Sequence, residues 1–150
     1  MGVALLKDGQ LMDWKVQSFS GEWSGKKLEI VIRYIDTYID RNKVTAIAIK
    51  IPDELPVSAN YIQLVGTLNA LFERKGIMPV YYTLSDLKKH HCPKEKVNKA
   101  RLAACVAARY PELIPEYQKE SNNRNSYYSK VFEAIATARM YWELTCSLPT

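Results

Sequence analysis

Residues 44–82 read VTAIAIKIPDELPVSANYIQLVGTLNALFERKGIMPVYY, and this stretch decides the fold. The apolar run at residues 44–49 is typical of a strand that is covered on both faces. A helix is predicted at about residues 59–75, where Gly76 is well placed as its left-handed C-terminal cap. A second buried strand is predicted at residues 78–82. A strand, a helix and a strand in this order indicate parallel strands joined by a crossover helix.

The segments on either side extend this pattern. Upstream, residues 3–7 and 11–19 read as two strands of a hairpin around Asp8-Gly9, with Met12, Trp14 and Val16 predicted to face the core. Further helices are predicted at about residues 26–41, 94–109 and 126–144, with a polar loop at residues 116–125. Thr83 or Ser85 is predicted to cap a short helical turn that runs through Lys89. Together these elements predict an α/β fold with a mixed β-sheet flanked by helices, in a single domain covering residues 1–150.

Composition narrows the class of protein. Hydrophobic residues make up 47% and charged residues 25% of the 150 positions, which is ordinary for a folded globular chain. No apolar run approaches the roughly 18 residues of a membrane span, and the N-terminus lacks the basic region of a signal peptide. Three scattered cysteines (Cys92, Cys105 and Cys146) without a CxxC motif favour a reducing cytoplasm and no disulfide framework.

The positive charge of the chain is concentrated in one segment. The formal net charge is +5, and residues 84–109 contain seven basic and two acidic residues, so the surplus lies there. A localised surplus favours a polyanionic partner, although a solvated helical face would give the same composition. The predicted nucleic-acid-binding residues are Lys88, Lys89, Lys94, Lys96, Lys99 and Arg101.

Other candidate sites are weaker. The cluster His90-His91-Cys92 does not predict a zinc site, because three consecutive residues do not readily converge on one ion and no second pair stands at zinc spacing. Cys105 lies in an apolar helix, where an inert thiol is expected. The glycines form no phosphate-binding motif. Candidate platforms for stacking of unpaired bases are Tyr81, Tyr82, Tyr127 and Tyr128, and Trp23 is an exposed candidate for an interface.

Over nearly its whole length the chain resembles the RuvC-type Holliday-junction resolvases of the ribonuclease-H-like superfamily. The resemblance is carried by GVALLKDGQL (residues 2–11), AIAIKIP (46–52), YIQLVGTLNALFERKGIMPVYYTLSDLKK (61–89), KARLAACVAARYPEL (99–113) and FEAIATARMY (132–141). It implies a ribonuclease-H-like mixed β-sheet flanked by α-helices. The family's first strand, which carries a metal-binding Asp, would lie upstream of Met1. The fold is therefore expected to lack that strand here, either because the strand is lost or because the chain is a shortened product.

The resemblance also implies a degenerate metal site. Glu133 falls where the family has its last Asp, so one catalytic carboxylate is retained in vestigial form. Lys130 replaces the partner carboxylate, Lys50 replaces the Glu at the strand end, and Lys99 matches a basic position associated with DNA. A lysine about 4 Å from a divalent cation is repelled by roughly 8 kcal/mol at an effective dielectric constant near 20. We therefore expect no bound metal or cofactor and no cleavage.

Three hypotheses for function remain open. The first is a pseudo-nuclease that binds nucleic acid, branched or duplex DNA in particular, through its basic face. The second is a protein-interaction or structural subunit, for which the resemblance implies a homodimer. The third is a residual endonuclease that depends on magnesium or manganese.

Overall fold

The computed structural model describes residues 1–54, 58–93, 99–123 and 126–145, without the side chains of residues 99, 100, 120–123 and 126–128. The elements in chain order are β1 (Gly2–Lys7), β2 (Gln10–Val16), α1 (Gly25–Arg41), β3 (Ala48–Ile51), α2 (Ala59–Arg74), β4 (Val80–Thr83), α3 (Leu84–His91), α4 (Lys99–Arg109), a 3-10 turn (Pro111–Leu113), α5 (Ile114–Asn123) and α6 (Ser126–Thr145). None of the helices in these ranges is long and apolar enough to span a membrane.

The chain divides into two compact units. The first contains the described residues of 1–17, 48–53 and 81–150, and the second contains those of 18–47 and 54–80. The first unit holds both strand pairs except for Val80, together with helices α3 to α6. The second is built around α1 and α2, which pack against each other. The single domain predicted for residues 1–150 stays a prediction.

The opening hairpin is confirmed. Strands β1 and β2 pair antiparallel, and the turn residues Asp8 and Gly9 have φ values of 53° and 79°. Positive φ at both positions is the requirement of the two-residue turns that match the twist of a hairpin. The predicted identity of the inward-facing residues is wrong at Met12.

A register shift explains that error. Leu5 pairs with Asp13 whereas Leu6 pairs with Leu11, so Met12 is an extra residue on β2. Such a bulge re-aims the side chains next to it. Leu11 is buried with 9% of its surface accessible, and Met12 is 54% exposed. The simple alternation that the sequence suggested is broken at this point.

The second strand pair lies at β3 and β4, which are hydrogen-bonded neighbours in a two-stranded sheet. The first of these strands was predicted at residues 44–49, but β3 begins later, at Ala48. One mixed sheet was predicted, but among the described residues no strand joins this pair to the hairpin. Helix α6 packs against β1, β2 and β3, so one helix covers both pairs.

Helix α6 is the centre of the first unit. Its residues Val131, Phe132, Ile135 and Ala136 are at most 3% accessible. Helices α3, α4 and α5 pack around it. Helix α3 contributes the buried residue Leu87, α4 contributes Leu102 and Val106, and Leu113 of the 3-10 turn is also buried. At Gly2, a Cβ atom would collide with the backbone carbonyl of Lys130, so β1 approaches α6 as closely as only glycine permits.

Polar contacts hold the hairpin turn against α6. The Tyr110 hydroxyl donates to the Gly9 carbonyl at 3.2 Å, and Arg139 Nη1 donates to the Tyr110 hydroxyl at 2.9 Å. The Arg139 guanidinium also lies 5.1 Å from the ring centroid of Trp142, within the range of a cation–π interaction. The turn is therefore fixed by groups that lie far from it in sequence.

Local capping accounts for the ends of the helices in the second unit. Ser24 accepts a hydrogen bond from the backbone N–H of Lys27 at the start of α1, and Ser58 does the same for Tyr61 at the start of α2. These are the preferred N-terminal caps of helices. Gly76 has a φ of 71°, which confirms the predicted left-handed residue after α2.

Helix α5 corrects one expectation. Residues 116–125 were predicted to be a polar loop, but α5 runs over Ile114–Asn123. Pro115 stands in its first turn, where a missing N–H costs nothing, and Glu116 is an acidic residue near the positive end of the helix dipole. Among the side chains of this helix that the structure describes, Gln118 and Lys119 are exposed, so polar residues here occupy the surface of a helix rather than a loop.

The cysteines correct a second expectation. Cys92, which follows α3, and Cys105 on α4 form a disulfide with their Cα atoms 6.8 Å apart. The sequence predicted unpaired cysteines and an inert Cys105. A scattered spacing did not reveal the pair, because the packing of α3 against α4 brings the two residues together. Cys146 lies outside the described residues.

Candidate functional site

An ion pair joins two of the positions that the sequence singled out. Lys50 lies on β3 and Glu133 lies on α6, and Lys50 Nζ donates to Glu133 Oε2 at 3.1 Å. The Glu133 side chain is 10% exposed and that of Lys50 is 32% exposed. The packing of α6 against β3 brings together residues that are 83 positions apart. The sequence named both positions but did not predict that they pair.

The helix fixes the position of the carboxylate. Glu133 is in the buried part of α6, between Phe132 and Ala134, with 8% of the residue accessible. Its backbone carbonyl accepts a hydrogen bond from the Thr137 hydroxyl at 2.7 Å, one turn later. A buried carboxylate requires a partner of opposite charge or several donors. The Lys50 ammonium meets part of that requirement without a metal ion.

Lys130 lies one turn before Glu133 and is exposed to solvent. Its charge acts on the chain's amino group: burial, and then the charge of Lys130, lower the pKa of the Met1 amino group. The resemblance implies a second carboxylate at the position of Lys130. That assignment of Lys130 stays a prediction.

Two acidic residues, Asp53 and Glu54, follow β3. Asp53 Oδ1 accepts a hydrogen bond from the backbone N–H of Ser85 at 3.2 Å, at the start of α3. That hydrogen bond is the main reason that the pKa of Asp53 is lowered, and the charge of Lys50 contributes less. Asp53 is therefore used to hold α3, and Glu54 beside it is exposed.

The chemistry of this site is that of a single carboxylate neutralised by an ammonium group. Within the described ranges, Glu133 belongs to no group of three side chains with metal-binding atoms. Two-metal phosphodiester cleavage needs several carboxylates around the cations. A cation bound to Glu133 Oε2 would have to displace the Lys50 ammonium or stand beside it.

The predicted basic face is described in part. Helix α3 begins with Thr83, whose hydroxyl and the Asp86 carboxylate form a capping box, which confirms Thr83 among the predicted caps. Lys88 is half-buried and Lys89 is exposed in the last turn of α3, and Arg101 is exposed on the neighbouring α4. Lys94 and Lys96 lie outside the described residues, as does the side chain of Lys99. The convergence of these six residues on one face stays a prediction.

The aromatic candidates differ in their exposure. Tyr82 is 9% accessible, and its burial raises the pKa of its hydroxyl, so this ring belongs to the core. Tyr81 is half-buried. Trp23 is half-buried rather than exposed, and its Nε1–H donates to Gln63 Oε1 at 3.1 Å. The side chains of Tyr127 and Tyr128 lie outside the described set.

Comparison with known proteins gives one consistent result. No protein-family model and no curated protein matches the chain. Among solved structures, RuvC from Thermus thermophilus is similar, with a TM-score of 0.66 at 14% sequence identity over 95% of this chain and 87% of that one. RuvC from the same organism in complex with a Holliday junction substrate gives a TM-score of 0.65 at 15% identity, over 93% of this chain and 87% of that one.

This likeness in structure, at low sequence identity, concerns the fold. It agrees with the arrangement described above, in which small β-sheets are flanked by helices. The chain has the fold of RuvC, a ribonuclease-H-type α/β fold.

Proposed function

We propose that this chain is a catalytically inactive relative of the RuvC resolvases that binds nucleic acid without cutting it. The Lys50–Glu133 ion pair is the observation that carries this proposal. The fold provides the context, because a RuvC structure of similar fold is in complex with a Holliday junction substrate. Branched DNA is accordingly the first ligand to test.

The ion pair argues against a metal-dependent mechanism on electrostatic grounds. A divalent cation about 4 Å from the Lys50 ammonium is repelled by roughly 8 kcal/mol at an effective dielectric constant near 20. Because Glu133 neutralises this ammonium, we expect the phosphate contacts at the basic segment rather than at the Lys50–Glu133 pair.

The basic segment supplies the rest of the proposed interface. Lys88 and Lys89 on α3 and Arg101 on α4 lie on two helices that pack together. If about four of the six predicted bases contact phosphates of duplex DNA, the slope of log K against log salt is about −3.6. We expect phosphate contacts of this kind to provide most of the affinity.

The test measures binding of the purified chain to a labelled four-way junction, a duplex and a single strand, at two salt concentrations, with and without magnesium. Salt-sensitive binding that is tightest for the junction is the expected result. The charge-reversed variant Lys96→Glu/Lys99→Glu should lose most of the binding.

The matched control is Lys7→Glu/Lys26→Glu, which makes the same change in charge at two exposed lysines outside the basic segment. Equal losses in the two variants would mean that only net charge matters, and unchanged affinity of Lys96→Glu/Lys99→Glu would remove the proposed interface.

Exposed apolar side chains favour a second candidate, a protein-interaction subunit. Met78 is 89% exposed and Ile62 is 61% exposed, both in the second unit. Exposed apolar side chains mark a protein interface where they form a contiguous patch. This candidate, which includes a homodimer, predicts a complex that is insensitive to salt and that is weakened by Met78→Ser. Sedimentation of the wild-type chain and of Met78→Ser at low and high salt distinguishes this candidate from the nucleic-acid-binding proposal.

A further inference from the structure

A second cluster of ligating side chains lies at the other end of α3. His90 and His91 end that helix, and Glu143 approaches them from α6, which packs against α3. One nitrogen from each histidine and one carboxylate oxygen lie within 4.8 Å of one another. The sequence did not predict a metal site here, because Glu143 is distant along the chain and Cys92, the third member of the cluster it considered, is in the disulfide.

The histidine nitrogens are placed as ligands. His91 Nε2 is 2.8 Å from the carbonyl oxygen of Ala136. A carbonyl only accepts, so Nε2 carries the proton, and Nδ1 of the neutral ring holds a lone pair. His91 Nδ1 and His90 Nε2 are both buried and have no hydrogen-bond partner. Buried polar atoms of this kind require an explanation, and a bound ion is one of the few available.

The second sphere of the cluster resembles that of a metal centre. Histidine ligands usually donate their other ring N–H to a carbonyl or carboxylate, which fixes the tautomer and the orientation of the ring. The hydrogen bond of His91 with Ala136 does this.

Glu143 is held in place by two arginines. Its Oε1 atom accepts hydrogen bonds from Arg139 Nε at 2.8 Å and from Arg109 Nη1 at 2.7 Å, while Oε2 lies 3.6 Å from His90 Nε2. Two guanidinium groups therefore orient the carboxylate through Oε1, and its Oε2 lies on the side of His90.

We propose that His90 Nε2, His91 Nδ1 and Glu143 Oε2 bind one zinc-like transition-metal ion. Two imidazoles and one carboxylate are a ligand set for zinc, whereas magnesium and calcium prefer oxygen ligands. Three protein ligands leave a fourth position for water or an anion. The two arginine charges lower the affinity, and they favour an anion in that fourth position.

Binding requires a small closure of the cluster. Tetrahedral zinc with bonds of about 2.1 Å places its ligands roughly 3.4 Å apart. In the structure, one nitrogen of each histidine and one carboxylate oxygen lie within 4.8 Å of one another, which is wider than that spacing. His90 is the member that moves, since its side chain is 20% exposed, whereas His91 is fixed by Ala136.

The test is titration of the untagged, full chain with Co²⁺ and Zn²⁺, followed by visible absorption of cobalt and by calorimetry. We expect one ion per chain, a tetrahedral-type cobalt spectrum, displacement of Co²⁺ by Zn²⁺, and no response to Mg²⁺. Absence of a saturable cobalt signal in the folded wild-type chain would overturn the proposal, whatever the variants do.

Variants locate the ion. His90→Gln should weaken zinc binding at least about 10-fold, whereas Lys89→Gln, an exposed neighbour on the same helix, should not change it. Cys92→Ser/Cys105→Ser should retain the ion. Loss of binding in the cysteine variant together with full binding in His90→Gln would assign the ion to thiols and contradict the site.

Discussion

Replacing Lys50 by methionine tests how much the Lys50–Glu133 ion pair contributes to the free energy of unfolding. The change leaves the Glu133 carboxylate in a buried position without the ammonium group that lies 3.1 Å from it. Removing one partner of a fully buried ion pair costs about 3–5 kcal/mol, and exposed pairs contribute about 0.5 kcal/mol. Lys50 is 32% exposed, so solvent screening reduces the effect. We expect a loss of about 2 kcal/mol in the free energy of unfolding.

Thermal and urea unfolding measure this loss. At this chain length, about 2 kcal/mol corresponds to a decrease of roughly 4–8 °C in Tm. The matched control is Lys15→Met, which removes a pair with Asp13 at 3.7 Å in which both side chains are 40% exposed. That control should cost at most about 0.5 kcal/mol.

A double-mutant cycle isolates the pair itself. Lys50→Met/Glu133→Gln should recover part of the stability, with a coupling energy of about 1–2 kcal/mol. If Lys50→Met costs no more than Lys15→Met, or if the coupling is zero, the Lys50–Glu133 contact does not stabilise the site and the reasoning above is refuted.

Two further predictions concern stability. Gly9→Ala should lower it by about 1–3 kcal/mol, because φ is +79° and the new Cβ would lie 2.8 Å from the Trp142 ring. Gly21→Ala is the control: Gly21 has a φ of +91°, but its new Cβ would meet open space, so this variant measures the backbone cost alone. If thermal unfolding gives equal losses of stability for the two variants, the packing argument for Gly9 is contradicted. Reduction of the Cys92–Cys105 disulfide, which joins residues 13 positions apart, should cost about 3 kcal/mol. Thiol titration of the unfolded, unreduced chain should detect one free cysteine, and three free thiols would show that the bond does not form.

The sequence predicted the features that depend on local signals. The Asp8-Gly9 turn, the cap at Thr83 and the left-handed Gly76 are each specified by one or two residues, and all three are confirmed. The resemblance led to the fold through patterns of apolar positions spread over the chain. Such patterns tolerate low sequence identity, because they reflect only which face of each element is buried.

The sequence did not predict, or predicted only in part, the features that depend on contacts between residues distant along the chain. The bulge at Met12, the disulfide and the pairing of Lys50 with Glu133 all arise from packing between elements, which no local pattern encodes. The sequence identified Lys50 and Glu133 separately, as departures from a family pattern. Their contact follows only from the packing of α6 on β3.

The most direct test of the proposed function follows binding and cleavage of one labelled four-way junction in the same reaction. The chain is added at saturating concentration in magnesium and, separately, in manganese, and the bound fraction and the integrity of each strand are recorded together. A pseudo-nuclease gives a shifted, fully intact junction under both conditions. Metal-dependent strand cleavage that disappears in Glu133→Gln would show that the Lys50–Glu133 pair does not disable the site, and no binding at low salt would remove nucleic acid as the ligand.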